Sequence, residues 1–315
     1  PTMTGISASR TEMNDDARAS PSLHEAALAP QPAATALALP AACYTQPEFA
    51  AIERGAVFGR SWQLVGHAAQ VAAPGDHALA GIAGVPLVIV RGDDGTLRAL
   101  HNVCRHRAGP LADCNGRGAT QFTCRYHGWR YALDGRLLGA PDMGRAQDFD
   151  VAAIRLPRAR VAEWQGLVFA SLDDGAPSFG EFVEGIDARL GASLSGYAHD
   201  RRASYEVACN WKVYVDNYLE GYHLPHVHPG LSKVLDYRAY STDLAEWWSL
   251  QHSPLRDAEE VYGEGSAWYF FVYPNTMLNI TPGRLQTNVV VPLGLDRCRV
   301  VFDYFYSAGG AGLSE

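Results

Sequence analysis

Two short segments of the chain each place a cysteine close to a histidine. The first is Cys104-Arg-His106 and the second is Cys124-Arg-Tyr-His127, with seventeen residues between His106 and Cys124. Two thiolates and two imidazoles suit either a tetrahedral zinc ion or a cluster of two irons and two sulfides in which histidines replace cysteines on one iron. Cys114 lies between the segments and has a place in neither pair, so we do not expect it to bind metal.

The residues that flank these pairs bear on which metal they hold. Gly128-Trp129 follows the second histidine directly, and a compact zinc hairpin does not need a bulky aromatic residue there. Together with Arg107 after the first histidine, the stretch 101–131 resembles the Rieske motif. Ala108 is one departure, since many relatives have glycine at that place. The resemblance implies a [2Fe-2S] cluster on Cys104, His106, Cys124 and His127, and structural zinc is the alternative.

A second group of potential ligands, Glu220, His223 and His228, follows further along the chain. At about 100° per residue, Glu220 and His223 would share one face of a helix. Pro225 would turn the chain and bring His228 beside His223. Two histidines and a carboxylate with open coordination positions are the ligand set of non-haem iron(II) oxygenases. Histidines that merely lie near a helix end are the alternative.

With both motifs present, the sequence from about Cys43 to Tyr306 resembles the catalytic α subunit of Rieske non-haem iron oxygenases. The resemblance implies that His223 and His228 bind a mononuclear Fe(II), with O2 as co-substrate. It also implies that Glu220 links a cluster histidine to His223 across a subunit boundary in a homotrimer. Most relatives have aspartate there, and glutamate in this context is similar to the branch that acts on choline, carnitine and related betaines.

The source of electrons is a further implication of the resemblance. NAD(P)H is the ultimate donor in the family. Nothing in this sequence matches a nucleotide-binding fingerprint, so we expect a separate reductase component as a partner.

The third iron ligand is where the sequence departs from the family. Relatives supply an aspartate from a long C-terminal helix, and no such helix follows the last predicted strand. Asp296 falls in a predicted turn and Asp303 in a predicted strand, so we assign neither as a ligand. We therefore expect that this C-terminal helix is missing from the sequence or that the site is incomplete. With two histidines alone, the chain should bind mononuclear iron weakly.

Aromatic residues are dense between Tyr237 and Phe271, and aromatic faces bind methylated ammonium groups. We select Tyr240, Trp247 and Trp248 as candidate substrate contacts. The predicted reaction is hydroxylation or demethylation of a small quaternary ammonium compound. Hydroxylation of an aromatic ring or aromatic acid is the first alternative. The second is an electron carrier or a zinc-stabilised binding protein, against which the pair His223 and His228 argues.

The predicted fold is α+β, with a β-rich Rieske domain and a catalytic domain of antiparallel sheet and helices that the resemblance makes helix-grip-like. The predicted segments are a disordered tail at 1–40, an N-terminal helix of the catalytic domain at 41–61, the Rieske domain at 62–175 and the catalytic domain at 176–315.

Composition limits the remaining functions. The 315 residues carry a net charge of −8, with 34 acidic against 26 basic residues, so the electrostatic footprint of nucleic-acid binding is absent. No apolar run is long enough to span a membrane. Six scattered cysteines indicate a reducing compartment, and we expect a cytoplasmic protein.

Overall fold

The computed structural model describes residues 31–32, 34–256 and 265–308. Within these ranges the predicted α+β fold is confirmed, with three antiparallel sheets and short helices between them. Most of the predicted tail 1–40 and the last residues, 309–315, lie outside the described part. None of the described helices is long and apolar enough to cross a membrane.

A six-stranded sheet forms the first half of the fold. Its strands are β1 (Gln63–His67), β2 (His77–Ile82), β3 (Val85–Arg91), β4 (Leu97–His101), β8 (Arg158–Trp164) and β9 (Leu167–Ser171). They lie in the order β1-β9-β8-β4-β3-β2. The interior strand β3 is buried at four successive positions, Leu87 to Val90, because both of its faces are covered.

A small three-stranded sheet is inserted between β4 and β8. Its strands are β5 (Phe122–Thr123), β6 (Arg130–Tyr131) and β7 (Leu137–Gly139). The pair Cys104/His106 follows β4, and the pair Cys124/His127 lies in the loop that joins β5 to β6. The second pair thus occupies the tip of the hairpin that β5 and β6 form.

A seven-stranded antiparallel sheet forms the second half. Its strands are β10 (Ala198–Val207), β11 (Ser241–Leu244), β12 (Trp248–Pro254), β13 (Ser266–Val272), β14 (Thr276–Thr281), β15 (Arg284–Pro292) and β16 (Cys298–Tyr306). From β11 to β16 each strand pairs with the next, and β10 closes the far edge beside β16. The sequence pattern does not predict β11 or β12. In the structure, Trp248 is the first residue of β12.

The helices are short and connect or cover the sheets. They are α1 (Ala42–Thr45), α2 (Pro47–Glu53), α3 (Phe179–Phe182), α4 (Ile186–Leu190), α5 (Trp211–Tyr218), α6 (Leu224–Val227) and α7 (Pro229–Val234). Helices α3 and α4 remain separate, because Gly185 between them adopts a left-handed conformation with φ of +86°. Likewise, the predicted segment 41–61 holds α1, α2 and a π-helical turn, Arg54–Phe58.

This N-terminal segment fixes the start of α5. The Glu53 carboxylate accepts hydrogen bonds from Lys212 Nζ at 2.5 Å and from Trp211 Nε1 at 2.9 Å. The Phe58 ring packs edge-on against Trp211, with centroids 4.9 Å apart. Asn210 caps the helix through its side chain, which accepts from Lys212 N at 3.0 Å. The helix that leads to the candidate iron ligands is therefore held at its first turn.

Two histidines join the first sheet to the third. His67 on β1 stacks on His199 on β10, with centroids 4.3 Å apart, and Phe305 packs edge-on against both rings. His199 Nε2 lies 2.9 Å from Asp303 Oδ1. Burial, followed by the nearby charge of His199, lowers the pKa of His67 to about 4. His67 is therefore neutral at ordinary pH, which suits a ring stacked between two domains.

Candidate metal centres and substrate cavity

The two loops that carry the cysteine–histidine pairs share one backbone geometry. In the first loop, Cys104 O accepts from Ala108 N at 3.0 Å, and Cys104 N donates to Gly109 O at 2.8 Å. The same two bonds recur in the loop 124–129 at 2.9 and 2.8 Å. The residue four after each cysteine is left-handed, Ala108 with φ of +55° and Gly128 with φ of +70°. The departure at Ala108 thus falls where glycine would avoid strain.

The four predicted cluster ligands meet at the ends of these loops. Cys104 and Cys124 are 3% and 2% exposed, and the rings of His106 and His127 lie 4.4 Å apart between centroids. His106 Nδ1 is buried without a hydrogen-bond partner among the described residues. Burial, with the neighbouring His127, lowers the pKa of His106 and favours the neutral imidazole that binds metal.

Two aromatic residues support this site, Trp129, which the flanking sequence already indicates, and Tyr131. Trp129 stacks under His106 at a centroid distance of 4.9 Å and an interplanar angle of 7°. The Tyr131 hydroxyl lies 3.3 Å from Cys104 Sγ and accepts a hydrogen bond from Arg105 N at 3.1 Å. Because the oxygen already accepts from that amide, its proton is available for the sulfur. Burial raises the pKa of Tyr131, which keeps this proton in place.

The residues at this site fit a [2Fe-2S] cluster. Buried sulfurs and an unpartnered imidazole nitrogen are donors that a metal would satisfy. A Cβ at Gly109 would stand 3.0 Å from Cys124 Sγ, so the glycine leaves the sulfur uncrowded. No three His, Cys, Asp or Glu side chains in the described part gather closely enough to hold one metal ion. A Rieske cluster needs only a pair at each iron.

The chain around the second group differs locally from the prediction. Helix α5 ends at Tyr218 and is capped by Leu219, so Glu220 lies beyond it rather than on a shared helical face with His223. Pro225 occupies the first turn of α6, where proline is tolerated, and it does not interrupt the helix. Pro229 is the proline that matters, because it disfavours helical geometry at His228, which has φ of −122° and ψ of 65°.

Glu220 and His223 nevertheless meet. His223 Nδ1 and Glu220 Oε1 are 2.5 Å apart, and Glu220 Oε2 accepts from the backbone amides of His223, at 3.2 Å, and of Tyr222. The His228 ring lies 5.2 Å from the His223 ring between centroids, at 74°. A carboxylate on Nδ1 fixes the tautomer and leaves His223 Nε2 free for a metal. Two imidazoles with open positions fit the donor set of a mononuclear iron.

A cavity of about 390 Å³ opens onto His223 and His228. Four of its lining residues form a chain of hydrogen bonds. Tyr218 Oη donates to Asn279 Oδ1 at 2.9 Å, while Asn279 Nδ2 and Gln286 Nε2 donate to Asn288 Oδ1 at 3.3 and 3.1 Å. Aromatic rings complete the wall, from Tyr214, Tyr240, Tyr269 and Phe302. The cavity is therefore both aromatic and polar.

Of the three candidate substrate residues, the structure brings only Tyr240 to this cavity. Its hydroxyl donates to Gln251 Oε1, and its ring lies so close to Gly221 that a Cβ there would be 2.7 Å from Tyr240 Cζ. Trp247 and Trp248 pack elsewhere, against the core that contains Phe182. The Trp248 indole donates to the carbonyl of Glu184 at 2.8 Å. Their selection as substrate contacts is corrected accordingly, because pairing of β12 with β13 carries them away.

Neither aspartate near the end of the chain lines this cavity. Asp303 is bound by Arg202, whose Nη2 lies 2.7 Å from Asp303 Oδ2, and by His199. Asp296 lies in the turn between β15 and β16. Neither Asp296 nor Asp303 therefore lies where it could bind the mononuclear iron beside His223 and His228.

Family models match both parts of the chain. The model described as Rieske [2Fe-2S] domain matches residues 61–155, and that described as Ring hydroxylating alpha subunit (catalytic domain) matches residues 194–311. Choline monooxygenase of Arabidopsis thaliana is 37% identical over 84% of this chain. The carnitine monooxygenase oxygenase subunit of Escherichia coli K12 is 33% identical over 82%. The chain belongs to the Rieske non-haem iron oxygenases.

Solved structures agree with this assignment of the Rieske oxygenase chain. The quaternary ammonium Rieske monooxygenase CntA in complex with L-carnitine superposes with a TM-score of 0.76 at 29% identity, over 88% of this chain and 76% of that one. Naphthalene 1,2-dioxygenase from Rhodococcus has the same fold, with a TM-score of 0.75 at 21% identity over 86% and 74% of the two chains.

The match does not extend over the full length of the relatives. This Rieske oxygenase chain spans 67% and 71% of the two curated relatives above, and 64% of choline monooxygenase from Beta vulgaris. Its two matched domains are those that carry a Rieske [2Fe-2S] cluster and a mononuclear iron that uses O2. The zinc-protein and electron-carrier interpretations therefore lose their support.

Proposed function

We propose that this chain is the oxygenase component of an enzyme that hydroxylates or demethylates a small quaternary ammonium compound. In this proposal Cys104, His106, Cys124 and His127 hold the [2Fe-2S] cluster, and His223 and His228 hold the mononuclear iron. When bound, the cluster supplies single electrons and the iron supplies activation of O2. The proposal rests on the residue pairs described above and on the curated relatives, which are named for choline and carnitine.

The observation that carries the substrate proposal is the wall of the cavity beside His223. Tyrosine rings offer faces to a methylated cation at about 0.5–2 kcal/mol each. The amides of Asn279, Gln286 and Asn288 would lose hydrogen bonds to water if a flat hydrocarbon filled the cavity. A volume of about 390 Å³ suits a small molecule. A compact, polar, cationic substrate matches all three properties.

The protein's own groups orient the reacting parts. Glu220 holds the proton on His223 Nδ1 and so fixes both the tautomer and the direction of Nε2. Leu224 and Tyr240 line the same cavity as the two histidines and give that part of the wall an apolar and an aromatic side chain. Tyr218 and its amide partners fix another part of the wall, since each amide of that chain makes at least one hydrogen bond within it.

Electron delivery between subunits is a further part of the proposal. Glu220 is 46% exposed at its side chain, and His127 lies on the surface of the Rieske domain. An exposed carboxylate on one subunit can accept a hydrogen bond from an exposed cluster histidine of another. We propose a homotrimer that joins the two in this way and takes electrons from a separate reductase. A solved relative is described as using inter-subunit electron transfer.

The compartment is also a proposal. All six cysteines are free, which supports a reducing environment such as the cytoplasm. The choline monooxygenases of plants among the relatives are named chloroplastic.

The test is a substrate panel with the reconstituted enzyme and a reductase. O2 uptake and product should be measured together for choline, L-carnitine, γ-butyrobetaine and a set of aromatic acids. We expect turnover of quaternary ammonium compounds, with uptake matched to product. Turnover confined to the aromatic acids would overturn the substrate proposal and leave the metal centres in place. His223→Ala is the control for uptake that does not depend on the iron.

A further inference from the structure

The charges that line the substrate cavity are arranged as a pair of opposite sign. Among its described lining residues, Glu220 is the one acid and Arg284 is the one guanidinium. Glu220 lies beside His223 at the metal end, whereas Arg284 begins β15. A cation alone would meet attraction from the acid and repulsion from the guanidinium. A zwitterion with a cationic methylated end and an anionic end matches both.

Arg284 lies at the end of a row of side chains on one face of β15. Residues 284, 286 and 288 alternate with the strand and line the same cavity. Arg284 Nη2 donates to Gln286 Oε1 at 3.3 Å, and Gln286 Nε2 donates to Asn288 Oδ1 at 3.1 Å. The position of the guanidinium is therefore set by the same hydrogen-bond chain that fixes the wall.

The guanidinium keeps most of its hydrogen-bonding capacity. Arginine has five N–H donors, and within the described part of the chain the bond to Gln286 is the hydrogen bond that the Arg284 guanidinium makes. Its Cζ lies 5.5 Å from the centroid of the Tyr304 ring, while the nearby Asp303 pairs with Arg202 instead. A half-buried guanidinium with donors facing a cavity is suited to bidentate binding of a carboxylate.

We propose that Arg284 binds the carboxylate of the substrate and makes this oxygenase selective for carboxybetaines over choline. The inference rests on the proposed function and deepens it by naming the substrate subclass. The carboxylate anchors at Arg284, and the methylated ammonium group extends toward the aromatic rings and Glu220. Choline has a hydroxyl but no anionic group to pair with the guanidinium, so the positive charge of Arg284 stays uncompensated when choline binds.

The experiment compares γ-butyrobetaine with its carboxamide, which keeps the shape and the ammonium group and removes the negative charge. KM and kcat are measured with the holoenzyme and reductase, and Kd by calorimetry without the reductase. For the native chain we expect KM and Kd for the carboxylate to be about 10- to 100-fold lower than for the amide, the range of a charged hydrogen-bond pair. Arg284→Gln should abolish most of that preference with kcat little changed.

Arg201→Gln is the matched control. Arg201 stacks on the same Tyr304 ring at 4.2 Å but does not line the cavity, so its removal takes away an equal charge at a nearby place. The preference for the carboxylate should survive in this variant.

Two outcomes separate the inference from the proposed function. If γ-butyrobetaine and its amide are turned over with equal KM by the native chain, the inference fails and the quaternary ammonium proposal stands. If neither compound nor choline binds or is turned over, both fail. The comparison in the native chain decides the question even if Arg284→Gln does not fold, and Arg284→Lys, which retains the charge, should keep part of the preference.

Discussion

Glu220 and His223 are joined by a hydrogen bond of 2.5 Å between Oε1 and Nδ1, although the helix that should have aligned them ends two residues earlier. The bond is made instead by a loop whose amides point at the second carboxylate oxygen. His223 is largely buried, and the Glu220 side chain is 46% exposed. The carboxylate can therefore hold the histidine and still reach a second group.

Replacing this carboxylate tests its role. Glu220→Gln should leave the iron and sulfide content unchanged and slow product formation by about 10- to 100-fold, because the charge that orients the imidazole is lost. The measurements are metal analysis and a single-turnover assay of cluster reoxidation. Asp216→Asn is the control. Asp216 lies on α5 and does not line the cavity, and its carboxylate accepts a hydrogen bond from Tyr44 Oη at 2.6 Å. Unchanged reoxidation in Glu220→Gln would contradict the role.

Tyr131 should tune the reduction potential of the cluster. Its hydroxyl is placed to donate to Cys104 Sγ, and such a bond stabilises the more negative, reduced cluster. Tyr131→Phe should lower the potential by on the order of 50 mV, equivalent to one hydrogen bond of about 1 kcal/mol. A redox titration followed by the visible absorbance of the cluster measures the change. An unchanged or raised potential would show that the hydroxyl does not donate to the sulfur.

Much of the site could be predicted because it is local in sequence. The cysteine–histidine pairs and the pair His223 and His228 each lie within a few residues, so spacing alone identifies them. The hydrogen-bonding row that begins at Arg284 also shows the alternation of a strand with one polar face. Which face meets the cavity depends on the pairing of β15 with β14, and that is not local.

The errors have the same origin. The helix predicted to carry Glu220 and His223 on one face ends at Tyr218, and the buried Gly221 packs against Tyr240, a residue nineteen positions later. From the sequence, Trp247 and Trp248 are candidates for substrate contact. The pairing of Trp248 with Val272 on β13 instead places both residues against the core that contains Phe182. Local propensity cannot anticipate contacts between distant strands.

The strain at Ala108 gives a stability prediction. Ala108→Gly should raise the free energy of unfolding of the Rieske domain by up to about 1 kcal/mol, because glycine adopts positive φ without steric penalty. Gly128→Ala, at the matching place in the second loop, should lower it by a similar amount. Thermal unfolding of the holoprotein compares the three chains. A lower free energy of unfolding for Ala108→Gly would show that the positive φ at residue 108 does not strain the native loop.

Tyr240 should contribute to binding of the ammonium group, and Trp247 should not. Tyr240→Leu is expected to raise KM for a quaternary ammonium substrate by roughly 2- to 30-fold, the value of one cation–π contact. Tyr240→Phe keeps the ring and should retain most of the affinity. Trp247→Leu serves as the control, because that residue lies outside the cavity. A larger rise in KM for Trp247→Leu than for Tyr240→Leu would show that Trp247 contacts the substrate after all.

The iron and acid-labile sulfide content of the purified native protein, His223→Ala and Cys124→Ser tests the two-centre account most directly. The native protein should be red-brown, with two sulfides per chain and the iron of a [2Fe-2S] cluster. His223→Ala should keep the sulfide and the visible absorbance and lose only mononuclear iron. Cys124→Ser should lose the sulfide. Zinc without sulfide in the native protein, or loss of sulfide in His223→Ala, would contradict the assignment of two separate metal centres.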